Sequence, residues 1–321
     1  MNIELSEEAA EFGRLGRQAL EAAGGDQLAR LAEQEPARRE SLVAPVLGEL
    51  GAWELDPRGD AGELEAAAAL CRSAGYWAAP YPVAERLSRP ADLDVDGLVV
   101  VAGSGPAAAV AGLDLRWAAV TVNGCRSLAV ARPPVAPPRA SAFVTGLDLE
   151  PADGDGAQDA ALGLVLPCWT LLGMLDRAID LTRSHVLVRE QFGQPLAAFQ
   201  GVQFQLADAE VERGGVEVLA KYALWSVQAG NTEALDDALA LRLAAVEAAE
   251  IVFRVAHQLH GAMGFCDEAP LSWLSRYSQP LRRLPLGRSA TLDQLTDRLG
   301  RRGLTGLFSD PLGANSLSAA S

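Results

Sequence analysis

Residues 201–228, GVQFQLADAEVERGGVEVLAKYALWSVQ, and residues 233–259, EALDDALALRLAAVEAAEIVFRVAHQL, each repeat apolar side chains at steps of three, four or seven. Such spacing gives a helix one apolar face along its length. In the first segment that face comprises Val202, Leu206, Ala209, Val216, Ala220, Ala223 and Val227. In the second it comprises Leu239, Leu243, Val246, Ala249, Phe253 and Ala256. Only residues 229–232 separate them, where Gly230-Asn231 ends the first helix and Thr232 caps the second, so we expect antiparallel helices in a bundle.

The same kind of pattern extends this bundle in both directions. A long helix is predicted from near Leu164 to Glu190, a shorter one after Asp267 or Ala269, and a last one after Ser289. Residues 1–88 are also predicted to be helical, because alanine, leucine, glutamate and arginine dominate there.

The middle of the chain has a different character. Short β-branched or apolar runs at 98–101, 118–122 and 128–131 are bounded by turn-forming residues, and Asn123-Gly124 is a good tight-turn pair. Pro133, Pro134, Pro137 and Pro138 interrupt any sheet. We therefore predict a mainly helical chain with a small β domain. Its parts are an N-terminal helical domain at 1–88, the β domain and a linker at 89–160, and a C-terminal helical bundle at 161–321.

Charge and composition exclude several kinds of partner. The 321 residues include 42 acidic and 27 basic side chains, a net charge of −15. Such a surface repels nucleic-acid phosphates and anionic lipids, so we expect no nucleic-acid and no membrane partner. The first residues lack the pattern of a secretory signal, and no run of about 18 apolar residues predicts a transmembrane helix. The four cysteines are widely spaced, so a cytoplasmic location is expected.

Two segments that end helices are also candidate ligand-binding motifs. Residues 189–195, REQFGQP, end a helix with an arginine, and Gly193 suits a left-handed C-capping turn. The alternative interpretation is a phosphate site, since the planar guanidinium forms paired charged hydrogen bonds with phosphate. Residues 258–265, QLHGAMGF, end another helix in small residues. Their glycines either stop the helix or let a ligand approach the backbone closely.

Together these two motifs resemble those of the acyl-CoA dehydrogenase family. The resemblance covers most of residues 161–300 and, more loosely, the segments LGELG at 47–51 and GYWAAP at 75–80. It implies an N-terminal helical domain, a middle β domain and a C-terminal four-helix bundle. It also implies that residues of both motifs contact the nucleotide end of FAD bound by a neighbouring subunit. The matching residues are Arg189, Gln191, Phe192, Gln258 and Gly261. Ala262 stands where the family usually has a second glycine.

The chain differs from the family at the positions of the catalytic base and in the stretch that holds the flavin ring. The family's catalytic base is a glutamate, which must be ionised beside the substrate α-carbon. At its commoner place this chain has Leu284-Pro285-Leu286-Gly287-Arg288, and at the alternative place it has Gly163 between two leucines. We therefore predict no catalytic residue. The middle domain also lacks the family's Thr-Glu-Pro-like stretch, and Gly103-Ser104-Gly105 is a weak nucleotide motif. The chain is not expected to hold the flavin ring itself.

The remaining candidates have ordinary explanations. His185 is interpreted as a bundle or interface residue. His257 and His260 could share one helix face, but no third metal ligand accompanies them, so no metal site is predicted. Glu190 and Glu268 lie inside motifs whose role is positional.

Three functional hypotheses follow. The first is a non-catalytic subunit of a heteromeric acyl-CoA dehydrogenase, resembling the short subunits of actinobacterial α2β2 enzymes of steroid catabolism. The FAD would be shared with a catalytic subunit that also binds the acyl-CoA, and an electron-transfer flavoprotein is one acceptor open to it. The second is an active homo-oligomer with a displaced base, Glu268 or Asp267. The third is a flavin-free assembly scaffold.

Overall fold

The computed structural model describes residues 3–133 and 142–302. Five helices form the N-terminal part, and Ser6 and Asp60 cap the first and fourth of them by accepting backbone hydrogen bonds. They are α1 (Glu7–Ala22), α2 (Leu28–Gln34), α3 (Arg39–Gly48), α4 (Ala61–Tyr76) and α5 (Val83–Leu87). α4 is buried along most of its length, between α1 and α6 (Ala157–Val188).

A five-stranded sheet follows in the order β1-β3-β4-β5-β2. The strands are β1 (Gly97–Val101), β2 (Ala107–Ala108), β3 (Trp117–Thr121), β4 (Arg126–Ala131) and β5 (Thr145–Pro151). β1 pairs parallel to β3, with Gly97 opposite Trp117, while the other neighbours are antiparallel. Gly124 has a φ of 82° in the turn between β3 and β4, which agrees with the predicted turn.

The C-terminal bundle contains the longest helices. After α6 it comprises α7 (Gln200–Gln228), α8 (Ala234–His260), α9 (Pro270–Arg283) and α10 (Arg288–Arg302). α6 contacts both α7 and α8, and α9 closes over them. The prediction of a mainly helical chain with a small β domain is therefore confirmed.

Two glycines let the N-terminal helices approach the bundle. A Cβ atom on Gly75 would lie 1.8 Å from the carbonyl oxygen of Thr170, and one on Gly173 would lie 1.8 Å from that of Arg72. Both neighbours are backbone atoms, which cannot rotate away. The absence of a side chain at these positions thus brings α4 and α6 into backbone contact.

Several local predictions need correction. α6 begins at Ala157, inside the predicted linker, and ends at Val188 rather than Glu190. The N-cap residue of α8 is Glu233, not Thr232. β2 and β5 were not predicted. Of the four sheet-interrupting prolines, those at 134, 137 and 138 lie outside the described residues.

α6 is long and apolar enough to span a membrane by length and hydropathy alone, contrary to the expectation from the sequence. However, 72% of its most apolar window is buried inside the protein. That burial is typical of the central helix of a folded domain.

Candidate functional site

The first motif forms a β-hairpin directly after α6. Its strands are β6 (Glu190–Gln191) and β7 (Gln194–Pro195), and its turn is Phe192-Gly193. Both turn residues have positive φ, 52° and 81°, as a two-residue hairpin turn requires. Gly193 is thus left-handed as predicted, but it turns a hairpin instead of capping the helix. The turn holds Phe192 at 92% exposure.

Arg189 begins this hairpin in an extended conformation, with its backbone N–H donating to the carbonyl of His185 at 2.9 Å. Its side chain is exposed, as is that of Gln191. Among the described residues the Arg189 guanidinium forms neither a hydrogen bond nor an ion pair. All of its N–H groups are therefore open to an external anion.

The second motif ends α8. Gln258 lies exposed in its last turn, and Gly261 follows it with a φ of 62°. A Cβ atom on Gly261 would meet nothing within 4 Å, so its backbone faces open space. This arrangement leaves room for a ligand beside the end of α8.

Stacked histidines bring the two motifs together. The rings of His185, one turn before Arg189, and His260, directly before Gly261, stack at 4.5 Å with 17° between their planes. Burial, the neighbouring His260 and the charge of Arg189 lower the pKa of His185. Burial likewise lowers the pKa of His260, whose Nδ1–H donates to the Ala256 carbonyl at 2.8 Å. Neutral rings can stack without repulsion. Because this stack joins the end of α6 to the end of α8, the five predicted residues lie at one exposed end of the bundle.

The histidines do not form a metal centre in the part of the chain that the structure describes. No group of three His, Cys, Asp or Glu side chains is placed there to hold an ion. His257 instead stacks on Phe265, with ring centroids 4.3 Å apart.

A separate cavity of about 100 Å³ lies where the N-terminal helices, the sheet and the bundle meet. Gly163 and Leu164 from α6 line it, and so do Leu284 and Pro285 after α9. Residues from both stretches to which the resemblance assigns the family's base therefore line the same cavity, and none of these four residues is a carboxylate.

Three charged side chains nevertheless line this cavity: Arg39, Arg242 and Glu85. Burial lowers the pKa of Arg39 to about 10, and it also lowers that of Arg242. Burial raises the pKa of Glu85, although hydrogen bonding to the backbone and the positive charge of Arg39 oppose the shift.

Sequence reasoning missed Glu85. The sequence gives little signal, because Glu85 stands beside Arg86 in the short helix α5 and the two resemble an ordinary charged surface pair. The suggested displaced bases lie elsewhere: Asp267, Glu268 and Glu190 are exposed, and none of them lines the cavity. Glu268 lies instead in a shallow depression beside His185 and His260.

Residues 165–290 match the family model described as acyl-CoA dehydrogenase, C-terminal domain. The bundle of this chain is therefore similar to an acyl-CoA dehydrogenase C-terminal domain. A 3-sulfinopropanoyl-CoA desulfinase of Paraburkholderia xenovorans is 36% identical over 107 residues, which cover 33% of this chain and 26% of that protein. Acyl-CoA dehydrogenase FadE28 of Mycobacterium tuberculosis is 32% identical over 126 residues, 39% of this chain and 37% of that protein. The matches thus span about a quarter to a third of these curated relatives.

Solved structures extend the likeness to the whole fold. A variant of the Tcur3481–Tcur3483 steroid acyl-CoA dehydrogenase has a TM-score of 0.76 at 22% identity, covering 92% of this chain and 98% of that one. The ChsE4–ChsE5 complex of Mycobacterium tuberculosis gives 0.72 at 18% identity, covering 95% of this chain and 100% of that one. This chain therefore has the acyl-CoA dehydrogenase fold.

Acyl-CoA dehydrogenases generally bind FAD, and the residues present suit one part of that cofactor. A nucleotide phosphate can accept hydrogen bonds from the exposed guanidinium of Arg189 and from the amides of Gln191 and Gln258. The open backbone at Gly261 leaves space for that phosphate. The internal cavity does not suit the flavin ring, since it is smaller than the engineered cavity of about 150 Å³ that accommodates a single benzene.

Proposed function

We propose that this chain is the subunit without a catalytic glutamate in a heteromeric, FAD-dependent acyl-CoA dehydrogenase. It binds the nucleotide end of an FAD whose flavin ring is held by a catalytic partner subunit. The partner also binds the acyl-CoA, in an α2β2 assembly.

One observation carries this proposal. Both candidate motifs lie exposed at one end of the bundle, joined by the His185–His260 stack, while the chain's own cavity is smaller than one that holds a single benzene. Side chains that face outward, with Phe192 at 92% exposure, are placed to contact a group held by another chain.

The second support is the chemistry of the cavity lining. Removal of a proton from the substrate α-carbon needs an ionised base next to that carbon. By the resemblance, the stretch 284–288 and the neighbourhood of Gly163 are the family's two places for that base, and neither offers a carboxylate. The chain on its own is therefore expected to be inactive.

An exposed apolar face on α7 supports the presence of a partner. Phe204, Val211 and Val218 are spaced by seven residues and are 60%, 71% and 57% exposed. Seven residues correspond to two helical turns, so these side chains lie along one face of the helix. Gly214, where a Cβ would meet nothing within 4 Å, leaves room for close approach. Apolar surface of this kind is typical of protein interfaces.

In the complex, the residues of this chain bind and orient the cofactor. The Arg189 guanidinium would pair with the FAD pyrophosphate through charged hydrogen bonds, with Gln191 and Gln258 as further donors. The Phe192 ring would pack against the nucleotide. The chemistry that FAD supplies is hydride acceptance during α,β-dehydrogenation of the acyl-CoA.

The similar solved structures support a proposal for the substrate class. Two of them are heteromeric, and one of these two is a steroid acyl-CoA dehydrogenase. Loss of half of the active sites in such an assembly leaves room for a bulky acyl group. We propose a bulky, steroid-derived acyl-CoA, with an electron-transfer flavoprotein as the electron acceptor.

Glu85 favours a second candidate function. It is a carboxylate lining the same cavity as Gly163 and Leu284, and burial raises its pKa toward the range of a general base. On this account the chain would be an active homo-oligomeric dehydrogenase whose base is Glu85.

The visible flavin spectrum separates these accounts. The chain is purified alone and together with the product of its neighbouring gene. Flavin absorbance in the co-purified complex only is the result we expect. Flavin in the chain alone, with acyl-CoA oxidation that Glu85→Gln abolishes, would favour the second candidate. No flavin in either preparation would indicate an assembly scaffold.

A further inference from the structure

We infer that the internal cavity is a binding site for a small carboxylate anion with a short apolar tail, held by Arg242. This inference concerns residues distant from the FAD motifs and stands whether or not the chain binds FAD.

Arg242 is a buried cation with incomplete hydrogen bonding. It is 3% exposed and donates to the backbone carbonyls of Leu281, Leu284 and Leu286, at 3.1, 2.6 and 2.6 Å. Its Nε–H, also buried, has no hydrogen-bond partner among the residues that the structure describes. Within residues 3–133 and 142–302, no carboxylate lies within ion-pair distance of its guanidinium.

Such an arrangement is unfavourable by itself. A buried charge costs several kcal/mol unless it is paired, and an orphaned buried donor adds about 1–3 kcal/mol. Three backbone carbonyls offset part of this penalty, but they bring no negative charge. An anion in the cavity that Arg242 lines would neutralise the guanidinium.

The rest of the lining leaves the cavity with an excess of positive charge. Arg39 is also 3% exposed, and its three hydrogen bonds go to the carbonyls of Pro80, Ala109 and Ala111. Glu85 is the single acidic side chain among the described lining residues. Two guanidinium groups against one carboxylate favour the entry of one further anion.

The size and the apolar walls limit which anion fits. A cavity of about 100 Å³ is smaller than the engineered cavity of about 150 Å³ that holds one benzene, so only a small anion fits. Val100, Leu164 and Met174 contribute apolar wall, which suits a methyl or ethyl group but not a sulfate or phosphate. Acetate and propionate combine a planar, bidentate head for a guanidinium with such a tail.

The test measures propionate binding to the full-length chain by ligand-observed NMR titration, in a buffer without carboxylates and at constant chloride. Propionamide has nearly the same shape without the charge and serves as the ligand control. We expect saturable binding of propionate and none of propionamide over the same concentration range. Equal binding of both, or of neither, would overturn the inference.

Three variants locate the site. Arg242→Met should weaken propionate binding at least about tenfold, whereas Arg254→Met, which removes an exposed arginine from the same helix, should leave it unchanged. Because Arg242 also anchors the segment after α9, its variant could fail to fold. Glu85→Gln avoids that problem: at a pH at which the Glu85 carboxyl, whose pKa burial raises, is ionised, removing the like charge should tighten propionate binding at least about threefold. An unchanged affinity in Glu85→Gln would contradict the assignment to this cavity.

Discussion

Replacing Gly173 with alanine tests the contact between α4 and α6 on which the cavity depends. The added Cβ would lie 1.8 Å from the carbonyl oxygen of Arg72, 2.7 Å from its carbonyl carbon and 2.9 Å from the backbone nitrogen of Tyr76. Alanine improves helix propensity by roughly 1 kcal/mol. Overpacking costs about 1–3 kcal/mol, and more where the obstacle is backbone. Because the obstacle is backbone, we expect a cost at the upper end of that range, which leaves a net loss of about 2 kcal/mol in the free energy of unfolding.

The assay is urea unfolding followed by far-UV circular dichroism, with Gly214→Ala as the matched control. Gly214 also lies inside a long helix, but a Cβ there meets nothing within 4 Å, so only the propensity gain remains. The control should be more stable than wild type by roughly 0.5–1 kcal/mol. If Gly173→Ala proved as stable as Gly214→Ala, the close contact between α4 and α6 would be refuted.

Two further predictions concern the site and the bundle. Arg189→Ala should weaken FAD retention in the complex roughly 10- to 100-fold, which is the range for a lost charged hydrogen bond. The control Arg183→Ala, which removes another exposed arginine, should leave FAD retention unchanged. Equal retention in the two variants, measured by flavin release on gel filtration, would contradict the role of Arg189. Burial tends to raise the pKa of Glu217, but hydrogen bonds from Arg213 and Arg72 outweigh burial and lower it from 4.5 to about 2. This carboxylate therefore contributes stability above pH 4.5, at most roughly 3 kcal/mol, which is lost as the pH falls toward 2. Glu217→Gln should flatten the pH dependence of unfolding in that window, and an unchanged slope would contradict it.

The sequence predicted the elements whose pattern is local. The apolar periodicity of α7 and α8 placed both helices within one or two residues of their observed bounds. Strands β1, β3 and β4 were likewise found, because they are short apolar runs between turn residues. In contrast, β5 escaped prediction because its acidic, half-exposed sequence becomes a strand only beside β4.

The candidate site was predictable only in part. The motifs identified the five residues at the exposed end of the bundle, but not the hairpin, since Phe192-Gly193 after a helix resembles a C-capping turn. Glu85, Arg39 and Arg242 escaped notice because they are far apart in sequence. Three separate parts of the fold bring them to one cavity. No local sequence pattern predicts that these three side chains line the same cavity.

The most direct test of the central claim is a cryo-EM map of the complex with its partner subunit. We predict FAD at the interface between the two subunits, with its pyrophosphate within hydrogen-bond distance of the Arg189 side chain and its flavin ring enclosed by the partner. A flavin ring ordered inside this chain, facing Glu85, would contradict it.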